Sequence, residues 1–224
     1  MLDWQPIILT FQLAFVTTCL LLIISIPLAA WLTHTKRKIK PVIETLVSMP
    51  LVLPPTVLGF YLLVVFSPAN AFGQWLDTYL GLQLVFSFEG LVLASMLYSL
   101  PFMVQPIQSG LSNLPAHFRE ASFMLGKSYS TTLFRVLLPN IRPSLLTGIV
   151  LAFAHTIGEF GVVLMIGGNI PGKTKVASIA IYDEVEALNY SMANQYSLFL
   201  FVISFVILLM VYLINGGYLK GFGK

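Results

Sequence analysis

Five apolar stretches, roughly 7–33, 42–66, 88–108, 143–166 and 196–214, each come close to or exceed the twenty or so residues a helix needs to cross a bilayer. Inside hydrocarbon every amide and carbonyl must find a partner within the chain, so stretches of this kind fold as helices. The expected architecture is an all-α membrane protein: a polytopic bundle of about five transmembrane helices, with residues 1–224 forming a single membrane domain. Composition agrees. The chain is 57% hydrophobic and only 9% charged, where soluble domains carry about a quarter charged residues. The single cysteine, Cys19, sits inside the first apolar run, which rules out a disulfide framework and a cysteine-based metal site. No cleavable signal is expected, because Asp3 and no basic cluster precedes a first run too long for a signal peptide.

The formal charge of +3 reads as topology rather than nucleic-acid binding. Of the twelve basic residues, four (Lys36, Arg37, Lys38, Lys40) lie between the first two runs, four (Arg119, Lys127, Arg135, Arg142) in the connection at about 109–142, and two (Lys220, Lys224) in the tail. The connection at about 67–87 has none, and Lys173 and Lys175 in 167–195 face Asp183, Glu184 and Glu186. Basic residues mark cytoplasmic connections. The expected topology therefore places the N-terminus outside, the C-terminus in the cytoplasm and the 109–142 connection on the cytoplasmic side.

That connection holds a short amphipathic helix. Leu114, Phe118, Ala121 and Leu125 repeat at i, i+4, i+7 and i+11, while His117, Glu120 and Lys127 keep the remainder polar. Asn113 or a neighbour suits the cap, Pro115 the first turn, and Gly126 a left-handed ending. Such a helix is too short to span. It is expected to lie across the ends of the spans and present a face outward; pattern alone leaves open a plain surface linker.

Two spans carry unusual interiors. In the second, Met49-Pro50-Leu51-Val52-Leu53-Pro54-Pro55-Thr56 removes three amide donors and frees the carbonyls of Leu46, Pro50 and Leu51. Lipid cannot satisfy those groups, so the segment must face protein or a wet cavity. Counted along a helix from the basic connection at 1.5 Å per residue, Pro54 and Pro55 fall about 20 Å in, where interrupted helices mark transport pathways in many transporters. A packing kink without a pathway role is the alternative. Pro27, Pro101 and Pro106 are further expected bends, with Gln105 near enough to serve freed backbone groups. The fourth span contains His155-Thr156-Ile157-Gly158-Glu159-Phe160-Gly161. As i and i+4, His155 and Glu159 are expected on one helix face. A glutamate there costs on the order of 3 kcal/mol unless paired, so it should serve either a gate or a buried hydrogen bond.

Catalysis finds no support. One histidine and one glutamate supply too few metal ligands, the His-Glu-x-x-His pattern is absent, and no serine or cysteine sits beside a convincing base. Gly167 to Thr174 satisfies the phosphate-binding pattern Gly-x4-Gly-Lys-Thr letter for letter. That pattern works between a buried strand and a helix; here it follows a membrane span, with Pro171 removing an amide, and turn chemistry is the expected content. The moderately apolar outer segment at about 175–194, with Asp183, Glu184 and Glu186, is expected to form an interfacial helix, either a docking surface for an extracellular protein or a lid.

Glu120-Ala121-Ser122, Gly126 and, after nine further residues, Val136-Leu137-Leu138-Pro139 resemble the EAA loop of ABC-importer permeases, Glu-Ala-Ala-x3-Gly-x9-Ile-x-Leu-Pro, with Ser122 and Val136 as mild departures. Pro50-Leu51-Val52-Leu53-Pro54-Pro55, Gly158-Glu159-Phe160-Gly161 and Asn169-Ile170-Pro171-Gly172-Lys173-Thr174 extend the likeness over most of the chain. They resemble the permease subunits of molybdate, tungstate and sulfate importers. Gly-Glu-Phe-Gly is common to all three. The proline-rich run and the Asn-Ile-Pro-Gly stretch favour molybdate, then tungstate, then sulfate or thiosulfate. The resemblance implies the type I ABC-importer permease fold and a homodimeric pathway between two copies. It also implies two cytoplasmic ATPase subunits seated on the coupling helices and an extracytoplasmic molybdate-binding protein, with no cofactor in the permease. It assigns coupling to Phe118, Glu120, Ala121, Ser122, Leu125 and Gly126, with Phe118 and Leu125 packing the helix against the permease or its partner. Pro54, Pro55, Thr56, His155 and Glu159 become candidates for the pathway or gate. A carrier or channel outside the ABC class would need its own coupling-ion site, for which Glu159 is the candidate acid.

Overall fold

The computed structural model describes residues 2–215, with side chains through Leu213; the tail holding Lys220 and Lys224, on which the expected C-terminal side partly rests, lies outside the described residues. Twelve α-helices follow one another, and no strand occurs among the described residues. Three are long and apolar enough to cross a membrane: α1 (Gln5–His34), α5 (Phe88–Ser112) and α12 (Tyr190–Asn215). Two bent pairs bring the total to as many as five.

The first bent pair answers the prolines of the second apolar stretch. Helix α2 (Lys40–Ser48) tightens into a 3₁₀ turn at Met49–Leu51, and α3 (Pro55–Phe66) starts afresh at an angle of 110°. Pro54, extended at φ −54° and ψ 135°, sits at the corner. The turn is sharper than the kinked span expected, and it voids the 20 Å depth counted along a straight helix. Two glutamines of α5 hold α2 in place. Gln105 donates to the Ser48 hydroxyl (3.2 Å), rather than to a freed carbonyl, and Gln108 donates to Glu44 (2.7 Å). Helix α1 runs unbroken through Pro27, and α5 through Pro101 and Pro106.

Between α5 and the fourth span lie α6 (His117–Met124), α7 (Tyr129–Thr132), a π-helical stretch at Leu133–Leu137 and α8 (Leu138–Asn140). The run Tyr129–Asn140 stands at 84° to α9 (Arg142–Gly158), making the second bent pair and a second helical piece that the hydropathy pattern did not reveal. The fourth span is itself interrupted: α9 stops at Gly158, Glu159 is extended (φ −66°, ψ 130°), and α10 (Gly161–Gly167) follows. Helix α4 (Ala71–Leu80) and helix α11 (Ala177–Glu186) complete the set, and α12 begins at Tyr190, ahead of the expected 196.

The buried core falls into two main layers along α1 and α5. Leu21, Leu32, Met103, Ile107, Leu137 and Ile141 gather near the end where α1 finishes. Leu13, Leu91, Val162, Ile166 and Ile179 gather near the end where it starts. Glycines set how closely the half-helices approach. A Cβ at Gly59 on α3 would stand 2.7 Å from Met165 Cβ, and one at Gly161 on α10 would stand 2.7 Å from Pro55 Cβ. Both lie below any normal carbon–carbon contact, so α3 and α10 pack backbone to backbone only because neither position carries a side chain.

Candidate coupling surface and pathway cavity

Helix α6 is two faces on one short rod. Its N-cap is Ala116 rather than Asn113, which ends α5; the first turn closes through Phe118 N–H to the Pro115 carbonyl (3.2 Å) and Arg119 N–H to the Ala116 carbonyl (3.0 Å). The inner stripe is Leu114, Phe118 and Ser122: the first two pack on the core and Ser122 is buried. Thr132 gives its own proton to the Ser128 carbonyl (3.0 Å), so the Ser122 hydroxyl donates to Thr132 Oγ1 (2.8 Å), pinning α6 to α7. Leu125 does not share this stripe, and Ala121 is exposed too. The heptad-like spacing placed both inside, but Ser122 at i+8 takes the inner position because α7 offers it a hydroxyl.

The outer face is apolar where a free helix would be polar. Met124 is 89% exposed and Leu125 75%, with Phe123 half-exposed and Glu120 and Ala121 beside them. At the end, Gly126 takes φ +69°. Its N–H bonds to the Phe123 carbonyl (2.9 Å) and that of Lys127 to the Ser122 carbonyl (3.2 Å), the paired bonds of a Schellman cap. Nothing lies within 4 Å of a Cβ built at Gly126. Glycine is required there by backbone conformation, not by crowding.

The second candidate set does converge. Pro55, Thr56, His155 and Glu159 line one cavity of about 480 Å³, together with Tyr98, Phe160 and Gly161; Pro54 lies at the corner beside it, outside the lining. Three polypeptide segments meet there: the start of α3, the middle of α5 and the α9–α10 break.

His155 and Glu159 share the cavity but not a helix face, because the helix ends between them at Gly158. Each bonds elsewhere. Thr156 donates to the Ala152 carbonyl (2.9 Å), so the hydrogen bond between Ser99 and Thr156 (3.1 Å) uses the Ser99 proton. Ser99 then accepts from His155 Nδ1–H at 2.9 Å, which sets the tautomer that makes all three bonds. The imidazole stacks on Phe102 with ring centres 4.1 Å apart and lies against Tyr98 at 4.8 Å. Glu159 is 5% exposed. Its Oε1 accepts from the Val162 amide (2.9 Å), closing the first turn of α10, and its carbonyl accepts from Ser178 of α11 (2.6 Å). Oε2 is buried without a partner among the described residues. Glu159 thus fastens the break and leaves one oxygen free beside the cavity. Tyr98 and Ser99 were missed in the sequence, although a Ser95–Ser99 pair at i and i+4 inside an apolar span signals a polar face.

The phosphate-binding pattern is a closed turn. Helix α10 precedes it, Gly168 and Gly172 have φ of +64° and +73°, and the Thr174 hydroxyl donates to the Gly167 carbonyl (2.7 Å). Asn169 and Lys175 both reach Asp183, locking the turn to α11. On α11 the Tyr182 hydroxyl donates to Glu186, a bond that holds the phenol above its usual pKa.

Sequence and structure comparisons place the chain among known proteins. The chain is 47% identical to the molybdenum transport system permease protein ModB of Azotobacter vinelandii over 94% of this chain and 93% of that one. It is 33% identical to a probable sulfate transport system permease protein, cysT, of Marchantia polymorpha, over 92% and 73% respectively. Among solved structures, the MetNI methionine ABC transporter in an inward-facing conformation aligns with a TM-score of 0.74 at 16% identity, covering 96% of this chain and 95% of that chain. The fold is therefore that of type I ABC-importer permeases. A family model matches residues 9–219, and the chain belongs to the inner membrane components of binding-protein-dependent transport systems, multi-pass permease subunits that leave ATP hydrolysis to a partner.

Proposed function

We propose that this chain is the permease subunit of an ATP-driven importer that moves molybdate inward. The observation that carries the reading is the 47% identity to a molybdenum permease across nearly the whole length of both chains. Residues 1–224 act as one transmembrane permease domain, with the coupling loop at about 109–142. Two copies form the pathway along their shared interface, two ATPase subunits bind below, and an extracytoplasmic binding protein delivers the anion from outside. The N-terminus lies outside and the C-terminus in the cytoplasm, as the basic residues favour.

The exposed face of α6 seats in the ATPase subunit. Met124 and Leu125 supply apolar contact, Glu120 a charge, and Ala121 a close approach. Phe118 and Ser122 act from the inner face, fixing the helix to the bundle, and the Gly126 cap sets where the chain turns away. Closure of the ATPase pair on ATP draws the two coupling helices together; because α6 is bonded to α7 and packed through Phe118 on the core, its displacement rocks the spans. At the cavity, Pro55 and Thr56 line the route and Pro54 sets its corner. His155 and Glu159 hold its far wall, each engaged in a structural bond. A dianion crossing a low-dielectric route needs polar groups without a cationic trap, and the apolar stretches carry no lysine or arginine.

Labelled molybdate uptake tests this in cells lacking their own high-affinity system, supplied with the permease, its ATPase and its binding protein. Uptake that requires ATP and is blocked by tungstate but not sulfate is the expected result. Suppression by sulfate would assign the chain to sulfate import, the second reading, favoured by the cysT likeness.

A further inference from the structure

Two cavities meet where α1 ends. One, about 450 Å³, is lined by Thr35, Lys36, Lys40, Ser112 and Arg119. The other, about 640 Å³, is an apolar groove running from Leu22 past Ile26 to Trp31, walled on its other side by Leu133 and Phe134. His34 and Thr35 belong to both. The basic cavity holds a charge the chain does not neutralise. Arg119 is half-buried, and no carboxylate lies within ion-pair distance among the described residues. Its bond is from Nη1 to His34 Nδ1 at 2.9 Å. A guanidinium only donates, so this imidazole nitrogen accepts and the histidine is neutral. Lys36 is exposed without an ion pair, and Lys40 meets Glu44 at 3.7 Å, a carboxylate also held by Gln108. A partly desolvated cation of this kind calls for an anion.

The apolar groove says which anion. From Leu22 to Trp31 is roughly 14 Å along a helix at 1.5 Å per residue, close to the ~15 Å of one leaflet's hydrocarbon. Trp31 stands where an interfacial aromatic belongs, one turn before the basic cavity. We infer that the two cavities form a single site for an anionic phospholipid of the cytoplasmic leaflet, its phosphate among Lys36, Lys40 and Arg119 and one acyl chain along the groove against Phe134. The side of the membrane rests on the orientation proposed above, and the effect on coupling on the role proposed for α6. The bound lipid joins α1 to both pieces of the coupling loop, since Arg119 lies on α6 and Phe134 in the run after α7. Lipid composition would then tune how firmly α6 follows the spans.

The test uses the full chain in nanodiscs with a phosphatidylglycerol probe carrying a photoreactive acyl chain. Labelling is expected on peptides containing Trp31 and Phe134, competed by phosphatidylglycerol at least tenfold better than by phosphatidylcholine. Arg119→Gln with Lys36→Gln should abolish that preference, while Arg119→Lys, which keeps the charge and serves as the folding control, should retain most of it. Equal competition by phosphatidylcholine would overturn the proposal. So would competition by inorganic phosphate alone, which would make the occupant a soluble anion, or crosslinks from the groove to a second permease copy instead of lipid. Nanodisc labelling does not depend on orientation. Cysteine accessibility at Lys36 in intact cells tests orientation separately, so the failure of one does not mimic the failure of the other.

Discussion

The helix break beside Glu159 and the outer face of α6 differ in how far the chain's own groups complete them: Glu159 Oε2 apart, the first is capped and packed within the chain, and the second is left bare. At the α9–α10 break the orphaned amide of Val162 finds Glu159, the Glu159 carbonyl finds Ser178, and the glycines at 59 and 161 let α3 and α10 close on each other. At α6 the inner face is equally complete, through Phe118 and the Ser122–Thr132 bond, but Met124 and Leu125 remain bare. Packed glycines and caps belong to the fold. Bare apolar side chains on a polar-flanked helix outside the spans belong to an interface. Substitutions at the first place should therefore act through the amount of folded permease, and those at the second through its partner.

The largest effect is expected from Gly161→Val. The new side chain would drive into Pro55 and Thr56, an overpacking that costs about 3 kcal/mol. Inserted, detergent-stable protein should fall sharply in a thermal-shift or size-exclusion assay. Stable Gly161→Val protein would break the comparison at its first member. Next is Leu125→Asp with Met124→Asp, which should leave thermal stability unchanged but cut co-purification of the ATPase subunit at least tenfold, a loss of about 1.4 kcal/mol in binding. Gly126→Val comes third. Its open surroundings permit the side chain, but φ +69° costs a β-branched residue about 1–2 kcal/mol. Uptake should drop with insertion intact, and Gly126→Asn, which tolerates the left-handed region, should recover most of it. The smallest is Ser122→Ala, which removes one buried hydrogen bond worth about 1 kcal/mol. It should lower the melting temperature of the permease slightly and weaken ATPase coupling less than the Leu125 change.

Much of this arrangement was visible in the sequence. Hydropathy located all five apolar stretches because burial in lipid leaves a composition too one-sided to miss, and Gly126 announced a left-handed ending on local grounds alone. The prolines at 50, 54 and 55 marked the second stretch as broken. What sequence spacing missed was set mostly by tertiary partners. His155 and Glu159 lie four apart, but the helix ends between them, because Glu159 is needed by the amide of Val162. Ala121 and Leu125 looked inward by period, but the hydroxyl of Thr132 draws Ser122 there instead. The run at 129–140 looked like loop because its helical character, π-stretch included, depends on lying against α1 and α6. Gln105 read as a helper of broken backbone, whereas it holds a side chain of α2, Ser48. The partners of Ser122 and Gln105 lie 10 and 57 residues away, beyond the reach of a local pattern, whereas the Glu159–Val162 bond spans three residues and is a local helix-start signal.

The most direct test of the central claim, that the bare face of α6 is where ATP hydrolysis is felt, is made in proteoliposomes containing the permease with its ATPase subunits. ATP hydrolysis is measured with and without molybdate-loaded binding protein, for the native chain and for the Met124→Asp/Leu125→Asp variant. Stimulation in the native complex and none in an equally well inserted variant is the predicted result. Equal stimulation of both would contradict the account and place the coupling contact elsewhere on the chain.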